Sequence, residues 1–343
     1  MPSGTMPYRP VAGLRGGLLA AILTAMLVRL SAALGAEIPA NPDGFPEHPL
    51  TIIVPYAAGG ESDQMARALA KSLEKVTGVG VLVMNKPGDT GLTAIPDFAA
   101  APADGYTILE AIDDAVANYV GGRLTDNPAV DWWPLGLTQI SFSQIYIRPG
   151  DVRFSDWATF VAYGRASPGD LKIANVGNPG AMERVNMFKV EQVLGLKTNQ
   201  VALDNPVERY AALIGGSVDA LFEQPGDVAT FLDSGKMTPI LTLHSERPAA
   251  FASVPTLADI GVRFDPLLRF RGFWVLPGVP EPRRKYLEAA VRAGWQSAEF
   301  QEFNRQRSMT FVPSYLDHKG AKALITKEIE TYKAAYREIG LGP

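Results

Sequence analysis

The segment LTIIVPYAAGGESDQMAR, residues 50–67, holds residues whose types and order could bind an anion. A β-branched apolar run breaks at Gly59-Gly60, and an amphipathic stretch follows with Ser62 or Asp63 at its head. A strand, a glycine turn and a helix start leave first-turn N–H groups without intrahelical partners and aim a positive dipole end above the turn. Ala58, Gly59 and Gly60 would bring backbone close to a guest, Glu61 follows them, Ser62 offers a hydroxyl, and Asp63 is expected to cap the helix. Positive φ is the plain reading of both glycines. There is no third glycine in G-x-G-x-x-G spacing and no G-K-[ST], so the expected guest is a small acid and not a nucleotide.

Catalytic patterns are absent by the same kind of reading. His48, His244 and His318 fall in a pre-strand linker, a strand end and the C-terminal helical region, with no H-E-x-x-H. No G-x-S-x-G elbow occurs. Asp113 and Asp114 are adjacent and are expected to point differently from a regular element, a poor start for an acid–base pair. The chain has no cysteine, hence no thiol nucleophile, disulfide or thiolate ligand, and no D-x-D-x-D-G calcium spacing. We expect neither a catalytic residue, nor a metal, nor a cofactor.

Residues 1–36 differ in kind from the rest. Arg9 and Arg15 precede an apolar run over 16–28, and small residues end at Gly35-Ala36. That order reads as a secretory signal peptide, and the run is shorter than the roughly 20 residues needed to span a bilayer. Cleavage after Gly35 or Ala36 would move the formal charge from −4 to −7, because three arginines and no acids leave. An acidic exported chain without basic runs is not a nucleic-acid binder.

These residues need elements to hold them. Strands are expected over 50–55, 80–85, 106–110, 141–148, 172–176, 200–203, 218–222, 239–243 and 270–276. Helices are expected over 63–77, 90–100, 155–167, 181–194, 206–215 and 227–235, with two long ones over 281–307 and 314–339. Such alternation is the pattern of an α/β protein with mainly parallel sheets. About 300 residues after the leader exceed what one core usually holds, which predicts two lobes.

Four ordered segments resemble the extracytoplasmic solute receptors of tripartite tricarboxylate transporters, the Bug receptors: TIIVPYAAGGESD, VLVMNKPGDTGLTAIPDFAAAPADGYTILEA, AALIGGSVDALF followed by VPTLADIG, and FRGFWVLPGVPEPRRKYLEAAV. The resemblance implies a type II periplasmic-binding-protein fold, with two α/β lobes joined by two crossing strands and a ligand cleft between. It places one lobe at 37–138 and 263–343 and the other at 139–262. It also implies a periplasmic, monomeric receptor that delivers a small organic acid to large and small integral-membrane transporter subunits. A receptor feeding a membrane signalling protein is the alternative.

The departures from the family bear on the ligand. Its second-lobe loop, Ser-x-Gly-x-Gly-Ser-x-x-His, corresponds here to residues 175–183, so Asn175, Gly177, Asn178 and Gly180 become candidate contacts while Glu183 replaces the histidine. A basic family position becomes Asp204. Glu110, Asp113, Asp114 and Glu223 add acids at strand ends. Taken singly, each reads as a solvated carboxylate. Facing the cleft together, they would repel polyanions and favour an amino-carboxylate or a neutral ligand.

Overall fold

The computed structural model describes residues 38–176 and 180–341. The proposed leader, with Gly177 and Asn178, lies outside the described residues. Two five-stranded sheets organise the chain. The first is built from β1 (Leu50–Val54), β2 (Val81–Asn85), β3 (Thr107–Ile112), β4 (Trp133–Ser141) and β10 (Arg269–Val275), in the order β2-β1-β3-β10-β4. The second contains β5 (Ser143–Ile147), β6 (Lys172–Asn175), β7 (Asn199–Ala202), β8 (Ala220–Glu223) and β9 (Thr238–Leu243), in the order β7-β6-β8-β5-β9. Each sheet pairs three strands in parallel and inserts one antiparallel strand, β10 or β5. The chain passes from the first sheet to the second at Phe142 and returns between β9 and β10. This is the type II periplasmic-binding fold.

Helices cover the sheets: α1 (Glu61–Thr77), α2 (Ile95–Ala99), α3 (Asp114–Val120), α4 (Trp157–Ala166), α5 (Met182–Leu194), α6 (Pro206–Gly215), α7 (Ala229–Asp233), α8 (Glu281–Gln296), α9 (Ala298–Gln306) and α10 (His318–Ile339). Among the described residues no helix is long and apolar enough to cross a membrane.

Three differences from the expected elements have identifiable physical causes. The helix expected over 90–100 is a 3-10 turn at Asp89–Ala94 followed by α2, because Asp89, Thr90 and Gly91 take positive φ of 50°, 51° and 93°. The helix expected over 281–307 is two, since Ser297 turns extended at ψ 145° and caps α9 through the Phe300 N–H. β4 and α3 had no counterpart in the reading. β4 carries Pro134, Gly136, Thr138 and Gln139, yet is almost wholly buried, so its interior position is set by neighbours and not by its own pattern.

β10 positions the site. All seven of its residues are buried, and side chains alternate between faces. Phe270 and Trp274 join the core that runs across both sheets, whereas Phe273 and Val275 join the core beneath α1 and α8. Arg269 and Arg271 share the parity of Phe273 and Val275 at the opposite end of the strand, where apolar packing gives way to the space between the sheets.

Candidate functional site

A cleft of about 370 Å³ opens between the sheets. The first lobe contributes the β1–α1 loop, the β2–α2 loop, Ile112, Asp114, Arg269 and Arg271. The second contributes Val176, the turn 204–206, Arg209, Tyr210 and the 223–227 loop. Apolar walls come from Pro55, Tyr56, Ile112, Val176 and Pro206.

The glycine loop is built with different roles for its two glycines. Gly59 has φ +83°, as expected, but Gly60 is extended at φ −72° and ψ 168° and caps α1 without a side-chain acceptor. The helix begins at Glu61, not at Ser62 or Asp63. Asp63 holds the loop by accepting from the Gly59 N–H at 2.9 Å and pairing with Arg67 at 2.9 Å. Although partial burial opposes it, those bonds hold its carboxyl below the usual range. Gly60, Glu61 and Ser62 line the cleft, while Ala58 and Gly59 are exposed outside its wall. Opposite them, the loop at 87–91 is held from beneath, where the Asn118 amide donates to the Thr90 carbonyl at 3.0 Å and Arg123 donates to its hydroxyl at 3.0 Å. A Cβ on Gly91 would come within 3.2 Å of the Tyr56 hydroxyl, so glycine allows the two loops to meet.

Asp113, Asp114, Glu183 and Glu223, with Glu61 and Asp227, form a buried ion-paired network. Arg269 joins Asp113 at 2.8 Å and also Glu183, with Asp114 at 3.6 Å. Arg271 meets both oxygens of Asp227 at 3.0 and 3.1 Å. Arg209 joins Glu223 at 2.7 Å and donates to the carbonyls of Leu203 and Asp204. Arg307 joins Glu61 at 2.9 Å. The expectation of solvated carboxylates at 110, 113, 114, 183 and 223 is therefore corrected: all five are at most 3% exposed. The adjacent pair is corrected too, because Asp113 and Asp114, at the start of α3, both approach Arg269 and do not diverge along a strand.

Burial dominates the titration of this network. It pushes Glu110 up to about 8 against the Ser62 hydroxyl, Arg271 and Arg269, and Asp114 up to about 7 against Arg269. Asp227 rises to about 8 despite Arg271. Glu61, Asp113 and Glu183 also rise through burial. Glu223 moves the other way: burial would raise it, but the buried Arg209 beside it holds it down.

Asp204 is exposed at the cleft mouth and Glu223 lines the wall. Asp113 stands behind Arg269 and accepts from the Tyr332 hydroxyl at 3.3 Å. Asn175 is buried at the end of β6, where its side-chain oxygen accepts from Arg184 at 3.2 Å. Gly180 is buried against α10, its carbonyl accepting from the Tyr336 hydroxyl at 3.0 Å. None of Ala58, Gly59, Asp63, Asp113, Asn175 and Gly180 lines the cleft. Sequence reasoning missed Arg209, Arg269, Arg271, Asp227 and Tyr210. Two arginines at alternate positions of an otherwise apolar strand were the available signal, since buried guanidinium groups require acidic partners. Among the described residues there is no group of His, Asp and Glu suited to a metal, and none of the three histidines lines the cleft.

Residues 65–341 match the profile described as tripartite tricarboxylate transporter family receptor. A Cupriavidus necator protein, described as the UPF0065 protein in the gbd 5′ region, is 27% identical over 332 residues, covering 93% of this chain and 97% of that one. Protein BugT of Bordetella pertussis is 28% identical over 245 residues, covering 70% of this chain and 74% of BugT. Among solved structures, the R. palustris protein Rpa4515 with adipate superposes with a TM-score of 0.78 at 20% identity, over 87% of this chain and 99% of that one.

Proposed function

The chain belongs to the tripartite tricarboxylate transporter receptor family, and from that membership and its cleft we propose that it captures a small organic acid between its lobes and delivers it to a membrane transporter. In this reading the leader exports the chain to the periplasm, and the partners are one large and one small integral-membrane subunit. The observation that carries the reading is the cleft itself. Two lobes line it, and it places the uncapped first turn of α1, with Gly60, Glu61 and Ser62, across from the 87–91 loop. One ligand carboxylate would accept from first-turn N–H groups and the Ser62 hydroxyl, while Gly60 gives it backbone access. A ligand touching both lobes stabilises the closed form, so a membrane partner can read occupancy from shape.

The test is a thermal-shift and calorimetric screen of organic acids against the purified protein. A ligand that binds only the folded state raises stability by about 2.7 kcal/mol at a hundredfold excess over Kd. Saturable binding of at least one small carboxylate at one site is expected. No binding by any small mono-, di- or amino-carboxylate would overturn the reading.

A further inference from the structure

The cleft is short of positive charge. Its lining bases are Arg209, Arg269 and Arg271, and each is already engaged by Glu223, by Asp113 with Glu183, and by Asp227 respectively. Asp114 is the lining carboxyl left over. It is 3% exposed, and its Oδ1 is buried without a hydrogen-bond partner. Arg269 lies 3.6 Å from that oxygen but is committed to two other carboxylates.

We propose that the ligand is an amino-carboxylate whose protonated nitrogen sits against Asp114 while its single carboxylate is received by the first turn of α1. The inference rests on the receptor reading above and narrows its ligand class. A buried carboxylate oxygen without a donor is costly, and a ligand ammonium supplies both the missing donor and the missing charge. A second ligand carboxylate beside Asp114 would meet that carboxyl, with Asp113 and Glu183 behind it, and no uncommitted arginine among the described lining residues to receive it. Burial holds the Asp114 carboxyl up near 7, so an arriving cation also favours its ionisation. In this arrangement the first turn of α1 takes the carboxylate and Asp114 takes the cation of one small molecule.

Matched ligands decide the matter. Calorimetric titration at pH 7.5 compares 4-aminobutanoate with succinate, 5-aminopentanoate with glutarate, and 6-aminohexanoate with adipate, each pair differing in one terminal group. At least one amino-carboxylate is expected to bind tenfold or more tightly than its dicarboxylate counterpart. Asp114→Asn is expected to cut that preference at least tenfold. Dicarboxylates that equal or exceed their amine counterparts would overturn this inference while leaving the receptor reading intact. Absence of binding by all six would overturn the inference and count against the receptor reading as well. Should Asp114→Asn fail to fold, the comparison on the natural protein decides alone.

Discussion

The Arg269 guanidinium joins the two lobes: one nitrogen lies 2.8 Å from Asp113 beside α3, and another donates to Glu183 at the start of α5. All three side chains are at most 3% exposed, so no charge can turn to water. A buried pair returns little net stability, but deleting one partner strands the other charge. Arg269→Met is expected to lower unfolding free energy by about 3–5 kcal/mol in urea titration at pH 7. Arg269→Lys should not rescue it, because one ammonium replaces a planar fork whose separate nitrogens serve separate carboxylates. A lysine variant as stable as the natural protein would remove this account of the inter-lobe contact.

Much of this architecture is legible in the sequence, and the network is where legibility ends. Apolar runs locate nine strands because burial inside a covered sheet selects apolar and β-branched residues along the run itself. β4 escaped because Pro134, Gly136 and Gln139 break that pattern, and its place is fixed by β10 on one side and by the Leu316 bridge on the other. The glycine loop was readable as a local device. The acids at 113, 183 and 223 were readable as departures, but their environment was not. Arg269 lies 156 residues from Asp113 and 86 from Glu183, and no local periodicity couples such positions.

Gly180 gives a packing test. A Cβ there would stand 1.7 Å from the Tyr336 hydroxyl oxygen and 2.2 Å from the ring carbon bearing it, on a side chain that also donates to the Ala117 carbonyl. The ring cannot retreat without losing both hydrogen bonds. Gly180→Ala is expected to cost about 1–3 kcal/mol through overpacking. Thermal denaturation should show the loss, and an unchanged melting temperature would mean that α10 and this turn are not in close contact.

In the glycine loop, a ligand carboxylate at α1 implies two separable effects. Gly60→Val places a branched side chain at the cap, where even a Cβ would lie 3.3 Å from the Ala57 carbonyl oxygen, and should abolish ligand binding. Circular dichroism should show the fold retained, since φ at Gly60 is accessible to any residue. Ser62→Ala should weaken binding by about 0.5–1.5 kcal/mol for one hydrogen bond. Natural affinity in both variants would place the carboxylate elsewhere in the cleft.

The buried carboxyls predict the direction in which stability depends on pH. Glu110 faces the Ser62 hydroxyl on α1, Arg269 and Arg271 on β10, Asp114 at the start of α3 and the Tyr56 phenol, and burial lifts its carboxyl from 4.5 to about 8. Between those values the folded chain keeps a proton that the unfolded chain has released, so stability falls as pH rises. The contribution is fully present below pH 4.5 and lost as pH passes about 8. Asp114, raised to about 7, and Asp227, raised to about 8, act in the same sense. Glu223, held down by Arg209 against its burial, acts in the opposite sense, but its contribution is lost only as pH falls below the ordinary carboxylate range. Urea titrations at pH 5.5 and 8.5 should therefore give the lower unfolding free energy at pH 8.5. Glu110→Gln, which keeps the shape and removes the titration, should flatten that slope. An identical slope in the variant would mean that Arg269 and Arg271 keep Glu110 ionised throughout.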